Sequence, residues 1–213
     1  MSTILSNRVQ KVKPSATMAV SDKAKELKSQ GVQIVSMGSG EPDFDTPTNI
    51  QKAAIKAIGN GETRYTAADG TPELKKAICE KFKRENGLDY SLNEVMVSCG
   101  GKQVFYNLCQ AILNTGDEVI IPTPYWVSYP DMAILADATP IFIETGIDQD
   151  FKISPEQLEA SINPNTKLLV LNSPSNPTGS VYSKSEIEAL GAVLEKYPHV
   201  LTISDDIYEH IRW

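Results

Sequence analysis

Five short apolar runs, each separated from the next by a segment with a helical pattern, constrain the fold of this chain more than any other feature. They occupy residues 94–99, 117–122, 139–144, 167–172 and 200–204. The runs are continuously apolar rather than alternating, which is typical of parallel strands covered by helices on both faces. The sequence therefore predicts an α/β fold with a mostly parallel central sheet flanked by helices.

Helix start signals fall between these runs. Thr71 followed by Pro72 fits an N-cap and a first helical position, and Ser154 and Ser183 each begin a capping box. The helix after Ser183 has an apolar face formed by Ile187, Leu190, Val193 and Leu194. Before Thr46 the pattern changes to an arm followed by one helix, so we expect a domain boundary near residues 46–49.

Composition and charge exclude several classes of protein. Of 213 residues, 41% are hydrophobic and 22% charged, which is ordinary for a globular protein. The net charge is -7 and the basic residues are scattered, so the sequence lacks a nucleic-acid-binding stripe. The apolar runs are far shorter than the roughly 20 residues of a membrane helix, and the N-terminus lacks a secretory core. We expect a cytoplasmic protein with no membrane or nucleic-acid partner and, since cysteines and histidines lack ligand spacing, no metal.

Two of the predicted strands are followed by residues suited to an anion and to a flat ring. In open α/β sheets, ligands bind at the carboxyl ends of the strands. Gly101 and Lys102 follow the first run and open a helix with an apolar face, so backbone N–H groups there could approach a phosphate. Trp126 follows the second run and could stack on a heterocycle. The alternatives are a tight turn and a tryptophan that is simply part of the core. The apolar face of the helix is formed by Val104, Phe105, Leu108 and Ile112.

The other two strand ends offer amides, carboxylates and a phenol. Asn172 and Asn176 stand in a proline-stiffened loop that could hold an amide against a ligand. Asp205 and Asp206 end an apolar strand, where side chains alternate, so the two carboxylates cannot share one environment. One of them could pair with a protonated ring nitrogen, and Tyr208 could reach an oxygen of the same ring. A merely rigid loop and a solvated helix start are the alternatives.

These blocks occur in the order of a known family. The stretches GEPDFDTP, YTAADGTPELK, GGKQ, PYWVSYP, NSPSNPTG and SDDIYEH resemble the class I aminotransferases of the aspartate aminotransferase type, from about Thr17 to the last residue. The resemblance implies a fold type I large domain with pyridoxal 5'-phosphate as cofactor. It implies domains at residues 1–14 (arm), 15–47 (small-domain segment) and 48–213 (cofactor-binding large domain). The implied activity moves the amino group of L-aspartate to 2-oxoglutarate in a homodimer with shared active sites.

The resemblance also implies roles for individual residues in binding the cofactor. Gly101 and Lys102 would donate backbone N–H groups to the phosphate, and Tyr65 would reach the phosphate of the other subunit's cofactor. The remaining groups would contact the ring: Trp126 by stacking, Asn176 and Tyr208 at the phenolic oxygen, and Asp205 at the nitrogen, with Asp206 in support.

The substrate would meet some of the same residues, according to the resemblance. Gly40, Trp126 and Asn176 would bind the substrate carboxylate, and Thr17 and Lys102 would lie near the acidic side chain of the substrate. Asn176-Pro177 and Thr123-Pro124 would be cis peptide bonds.

The chain departs from the family in lacking its catalytic blocks. The family needs a Ser-x-x-Lys block whose lysine forms a Schiff base with the cofactor, and arginines for the phosphate and the substrate carboxylate. Lys184 and Lys196 match no such block. The segment 202–213 also leaves a strand without a capping signal. We therefore expect an N-terminal portion of a longer enzyme, with no catalytic residue here and no activity alone.

Three interpretations stay open on the sequence. The first is the aspartate aminotransferase, with a prephenate or broad-specificity aminotransferase as its close alternative. The second is a non-catalytic α/β phosphate-binding module, although the chain has no G-x-G-x-x-G dinucleotide motif. The third is a structural or interaction domain that retains the fold.

Overall fold

The structure is a computed structural model that describes residues 4–14, 16–35, 37–38, 40 and 42–211, without the side chains of residues 16 and 17. The chain divides into two compact units. One unit comprises Met1–Ser15 with Gly101–Trp213, and the other comprises Ala16–Gly100. The domain bounds expected from the sequence, at 1–14, 15–47 and 48–213, stay a prediction.

From residue 101 onward, helices and strands alternate, as the sequence predicts for an α/β protein. The helices are α1 (Asn7–Lys11), α2 (Ala16–Ser29), α3 (Thr48–Gly59), α4 (Pro72–Lys81), α5 (Gly101–Ile112), α6 (Ser128–Leu135), α7 (Pro155–Ser161) and α8 (Lys184–Leu194). The strands are β1 (Glu118–Pro122), β2 (Thr139–Ile143), β3 (Thr166–Asn172) and β4 (Leu201–Asp205). All the strands lie in the first unit.

The sheet has the order β2-β1-β3-β4, and every neighbouring pair is parallel. Four of the five predicted strands are therefore confirmed within two residues of their expected bounds. In this topology the carboxyl ends of β1, β3 and β4 lie side by side, so the loops that follow them meet at one edge of the sheet. The α/β fold class predicted from the sequence is confirmed.

The central strands β1 and β3 are buried on both faces, which explains their continuous apolar runs. Along β3, Leu168 and Val170 pack into one cluster with α5 and α6, while Leu169 and Leu171 pack into another with α7 and α8. Successive side chains of a strand point to opposite faces, so every position between Leu168 and Leu171 enters a core. Burying one such side chain contributes about 2 kcal/mol.

The predicted helix starts are confirmed in detail. The Thr71 hydroxyl accepts from the backbone N–H of Leu74 at 3.3 Å, with Pro72 as the first helical residue. Ser154 and Ser183 each form a full capping box at the start of α7 and α8. These contacts satisfy N–H groups that a helix start leaves without an intrahelical partner.

The predicted strand at residues 94–99 is wrong. Leu92–Glu94 forms a 3-10 turn, and Val97 donates one backbone hydrogen bond to Asp69 at 3.0 Å instead of entering a ladder. Val97 packs beside Gly70, whose φ is +105° and whose missing Cβ would lie 2.7 Å from a Val97 methyl group. An apolar run resembles a strand in sequence, but only a neighbouring strand makes it one.

Two helix faces also differ from the expected ones. On α5, Phe105 and Cys109 form the buried row, whereas Val104 is 47% exposed because it lies 100° away from Phe105 around the helix. On α8, Leu190 and Val193 are buried, but Ile187 lies one turn earlier and is 41% exposed.

The second unit is mainly helical. It contains α2, α3 and α4, and α4 continues into a π-helical turn, Phe82–Asn86, that ends at left-handed Gly87. Lys75 of α4 is buried and forms an ion pair with Asp69. The hydrogen bond from Lys75 lowers the pKa of the exposed Asp69 carboxyl group. Among the described residues, none of the helices combines the length and apolar character needed to cross a membrane.

Candidate active site

The carboxyl ends of the strands bring together six of the residues that the sequence singled out. Contacts run from Lys102 to Trp126, from Trp126 through Tyr129 to Asp205, and from Asp205 through Asn172 to Asn176 and Tyr208. All of these residues belong to the first unit. No role for Tyr129 is predicted from the sequence, and the structure shows that this residue links the aromatic part of the site to its acid.

Asp205 is the last residue of β4 and is half-buried. Its Oδ2 accepts a 2.6 Å hydrogen bond from the Tyr129 hydroxyl, and its Oδ1 accepts from the backbone N–H of Ile207 at 3.3 Å. The next residue, Asp206, is exposed and accepts from the Ser204 hydroxyl at 2.9 Å. The prediction that the two carboxylates occupy different environments is confirmed.

Tyr129 lies in the first turn of α6 and is only 2% exposed. Its ring packs against Phe105, with centroids 5.0 Å apart, and meets the Trp126 ring edge-on at 5.3 Å. Burial and the neighbouring Asp205 carboxylate raise the pKa of the Tyr129 phenol well above its usual value. The phenol therefore remains a hydrogen-bond donor at neutral pH. A buried tyrosine needs a polar partner, but this partner lies 76 residues away, so no local sequence signal identifies Tyr129.

Trp126 is neither a solvent-exposed side chain nor a fully buried core residue. It is half-buried in the loop between β1 and α6 and packs against the cluster that contains Phe105 and Tyr129. The Lys102 ammonium group lies 5.5 Å from the Trp126 ring, in a cation-π arrangement. This contact places the first turn of α5 beside the aromatic part of the site.

The start of α5 has the backbone of an anion-binding turn. Gly100 adopts a φ of +84°, which favours glycine, and Gly101 is the first helical residue. A Cβ atom added to Gly101 would meet no atom within 4 Å, and Gly101 and Lys102 are both exposed. The first N–H groups of a helix and its positive dipole end can bind a phosphate.

Asn172 holds the loop after β3 against the end of β4. Its Nδ2 donates to the main-chain oxygen of Asp205, and its Oδ1 accepts from the backbone N–H of Asn176, both at 2.8 Å. Asn176 in turn donates from its Nδ2 to the Tyr208 hydroxyl at 3.4 Å. The amide of Asn176 and the phenol of Tyr208 therefore stand together, as the sequence predicts.

The loops after β1 and β3 contain cis peptide bonds. Thr123-Pro124 and Asn176-Pro177 are cis, which confirms the two predicted from the sequence. Ser173-Pro174 is also cis and was not predicted.

Three predicted site residues belong to the other compact unit, which is described by itself. Tyr65 is fully exposed, and Gly40 is exposed in an irregular segment. Thr17 lies in α2, and its side chain is outside the part of the chain that the structure describes. The roles of these residues stay predictions.

Comparison with known proteins decides the family. The model of the family described as aminotransferase class I and II matches residues 32–213. The chain belongs to this family. The family consists of pyridoxal 5'-phosphate enzymes, so the cofactor predicted from the sequence is the cofactor of the family.

Relatives of this aminotransferase chain include proteins named for two substrates. The aspartate/prephenate aminotransferase of Nitrosomonas europaea is 60% identical over 207 residues, which cover 97% of this chain and 52% of that protein. The protein of the same name from Cereibacter sphaeroides is 57% identical over 207 residues, with coverages of 97% and 52%. The chain spans about half the length of the curated relatives it matches.

Solved aminotransferase structures share the fold. The aspartate aminotransferase from Rhizobium meliloti matches with a TM-score of 0.96 and 46% identity, covering 99% of this chain and 53% of that one. The aspartate aminotransferase from Thermus thermophilus with maleate matches with a TM-score of 0.93 and 50% identity, covering 98% and 54%.

The donor set of this aminotransferase chain suits pyridoxal 5'-phosphate. The cofactor has an anionic phosphate, a flat ring, a basic ring nitrogen and a ring oxygen. Each feature has a matching group in the site. The start of α5 suits the phosphate, and the Trp126 ring suits the flat ring. The Asp205 carboxylate suits the ring nitrogen, and the pair of Asn176 and Tyr208 suits the ring oxygen. The two Asp205 carboxylate oxygens have four lone pairs, and the two described hydrogen bonds leave capacity for further donors.

Proposed function

We propose that the whole protein is a pyridoxal 5'-phosphate-dependent aminotransferase that moves the amino group of L-aspartate to 2-oxoglutarate. Family membership and the names of the relatives support the reaction class. The structural observation that carries the proposal is the half-buried Asp205 carboxylate, fixed by Tyr129 at the strand edge where the aromatic and amide groups converge. Prephenate as the amino acceptor is the alternative that the relatives' names favour equally.

Asp205 is the residue on which the chemistry of this candidate active site depends. When bound, the cofactor supplies a protonated pyridine ring that takes up the electrons released when the Cα–H bond of the amino acid breaks. The Asp205 carboxylate would pair with the ring nitrogen and hold a proton there, since an anion stabilises a neighbouring cation most strongly where water is partly excluded. Asp206 would support it only indirectly.

The other residues would hold and orient the cofactor. Trp126 would stack on the ring, and Asn176 and Tyr208 would donate to its phenolic oxygen. Gly101 and Lys102 would bind the phosphate through their backbone N–H groups, because a helix start offers N–H groups with no intrahelical partner.

The substrate would be bound by the residues that the family resemblance assigns to it. Gly40, Trp126 and Asn176 would hold the carboxylate of the amino or oxo acid. Thr17 and Lys102 would lie near a second, side-chain carboxylate, which both L-aspartate and 2-oxoglutarate carry. A lysine ammonium group attracts such a carboxylate and would favour acidic substrates.

We further propose a homodimer in the cytoplasm, with Tyr65 of one subunit binding the phosphate of the other subunit's cofactor. The full exposure of Tyr65 supports this role, because an aromatic side chain facing solvent is available to a second subunit. The catalytic lysine would lie outside this chain, so the chain alone would not catalyse transamination.

Substitutions that remove the charge of Asp205 or of its neighbour Asp206 test the proposed function in the whole protein. Asp205→Asn should abolish transamination and weaken cofactor binding, because the amide cannot stabilise a protonated ring nitrogen. Asp206→Asn is the comparison and should have a far smaller effect on both, because Asp206 is exposed and has only a supporting role. The measurements are the visible absorption of bound cofactor and the rates with L-aspartate and either 2-oxoglutarate or prephenate.

The outcomes separate the alternatives. A protein that binds inorganic phosphate but neither the cofactor nor amino acids would support the non-catalytic phosphate-binding module. An Asp205→Asn variant that keeps the cofactor and full activity would remove the assignment of Asp205. Faster turnover with prephenate than with 2-oxoglutarate would change the proposed acceptor but not the reaction class.

A further inference from the structure

The hydroxyl of Tyr129 is a polar group at the edge of an otherwise apolar cluster. The ring is fixed by its contacts with Phe105 and Trp126, and its backbone N–H donates to the Trp126 carbonyl at 3.1 Å. The core thus determines where the ring lies. Its hydroxyl donates to the Asp205 carboxylate at the end of β4, although the two residues are 76 positions apart in the sequence.

The two carboxylate oxygens of Asp205 have different hydrogen-bond partners and distances. Oδ2 accepts from the Tyr129 hydroxyl at 2.6 Å, whereas Oδ1 accepts from the Ile207 backbone N–H at a longer 3.3 Å. A short O–H···O⁻ bond is charge-assisted and stronger than a bond between neutral groups. The carboxylate is therefore oriented mainly by one phenol.

We propose that Tyr129 is a positioning residue of the cofactor site: its hydroxyl holds the Asp205 carboxylate in one orientation and leaves lone pairs available to a protonated ring nitrogen. This proposal rests on the proposed function of Asp205. Because the same ring meets Trp126 edge-on, Tyr129 also fixes the acid relative to the aromatic side chain. One core residue thereby sets the relation between the two groups that would contact the ring.

The test compares two tyrosine variants of the whole protein. Tyr129→Phe removes the hydroxyl and keeps the ring that packs on Phe105 and Trp126. Tyr182→Phe is the matched control. Tyr182 is half-buried, and its hydroxyl also forms a hydrogen bond within the protein, accepting from the Ile153 N–H at 2.9 Å. Both variants lose one phenol hydrogen bond, but only the first loses a bond to Asp205.

The readout is binding of pyridoxal 5'-phosphate to cofactor-free protein, followed by tryptophan fluorescence and by the visible absorption band. Tyr129→Phe should weaken binding roughly tenfold, as expected for loss of a hydrogen bond to a charged group, and should shift the band. Tyr182→Phe should change neither. In the Asp205→Asn background, Tyr129→Phe should have a much smaller effect, because the charged acceptor is already gone.

Several results would overturn the proposal. Unchanged affinity and absorption in Tyr129→Phe, with a clear loss in Asp205→Asn, would refute the role of Tyr129 while leaving the proposed function intact. Effects that simply add in the double variant would show a structural role alone. If the unsubstituted protein binds no cofactor, the proposed function fails first. Independently of any variant, a structure of the cofactor-bound protein with the Tyr129 hydroxyl outside hydrogen-bond distance of Asp205 would also overturn the proposal.

Discussion

The side chain of Asn172 forms a hydrogen bond that joins β3 to β4 at the carboxyl ends of the two strands. Asn172 and Asp205 are partners in the last register pair of these strands, and the Asn172 amide donates to the Asp205 carbonyl at 2.8 Å. Its other atom, Oδ1, accepts from Asn176 N–H, so one amide fixes the main chain on both sides. The Asn172 side chain therefore anchors the loop after β3 to the end of the sheet.

Replacing Asn172 with alanine should destabilise the protein by about 2 kcal/mol, because two hydrogen bonds contribute about 1 kcal/mol each. The measurement is the free energy of unfolding in urea. Asn165→Ala is the control, since this asparagine is exposed in the turn before β3 and the substitution should cost less than about 0.5 kcal/mol. Equal losses in the two variants would contradict the role of Asn172.

Truncation of either of two adjacent leucines in β3 should be costly. Leu168 and Leu169 point to opposite faces of the sheet and are 1% and 0% exposed, so each replacement by alanine leaves a cavity. We expect a loss of about 2–5 kcal/mol for either one, measured by thermal or urea unfolding. Leu201→Ala in β4 serves as the control, because Leu201 is 46% exposed. A sheet with one solvent-facing side would instead tolerate one of the two truncations.

The ion pair at the start of α8 should make stability depend on pH. Lys152 donates to Glu186 at 2.7 Å, and this bond, with those from Ser183, lowers the pKa of Glu186 from 4.5 to about 2. A lowered pKa stabilises the folded state above the unfolded-state value near 4.5, and this contribution is lost as the pH falls towards about 2. Glu186→Gln keeps an acceptor for the capping box and removes only the charge.

The glutamine variant should lose about 1 kcal/mol or less at neutral pH, because the Glu186 side chain is 40% exposed and solvent screens the ion pair. The difference from the unsubstituted protein should shrink when unfolding is measured at about pH 3. Glu188→Gln is the control, since its contact with Lys184 is longer, at 3.7 Å, and exposed. A difference that grows towards acidic pH would have the wrong sign for this explanation.

Local signals in the sequence were sufficient for much of the fold. Capping residues such as Ser154 and Ser183 specify helix starts through hydrogen bonds to their own neighbours, and they are visible in any short window. The run at 167–172 is read correctly because a strand buried on both faces has no polar positions. The run at 94–99 has a similar composition, but whether it pairs depends on distant segments, which a local pattern does not contain.

The same distinction applies to the candidate site. Asp205 and Trp126 could be singled out because a charged or large aromatic residue directly after an apolar strand is unusual. Tyr129 and the double contact of Asn172 could not, because their functions depend on partners 76 and 33 residues away. The sequence thus predicts which groups would contact a ligand better than it predicts which groups hold them in place.

The three cysteines should differ sharply in reactivity. Cys109 is completely buried in α5, and burial raises the pKa of its thiol to about 12, so the reactive thiolate is scarce at neutral pH. Cys99 is exposed and Cys79 is half-buried. In native protein, a thiol reagent should label Cys99 first and leave Cys109 unmodified, whereas all three should react in denaturant. A Cys99→Ser variant isolates the slower sites, and rapid labelling of Cys109 in that folded variant would show that the core around α5 opens far more readily than its packing indicates.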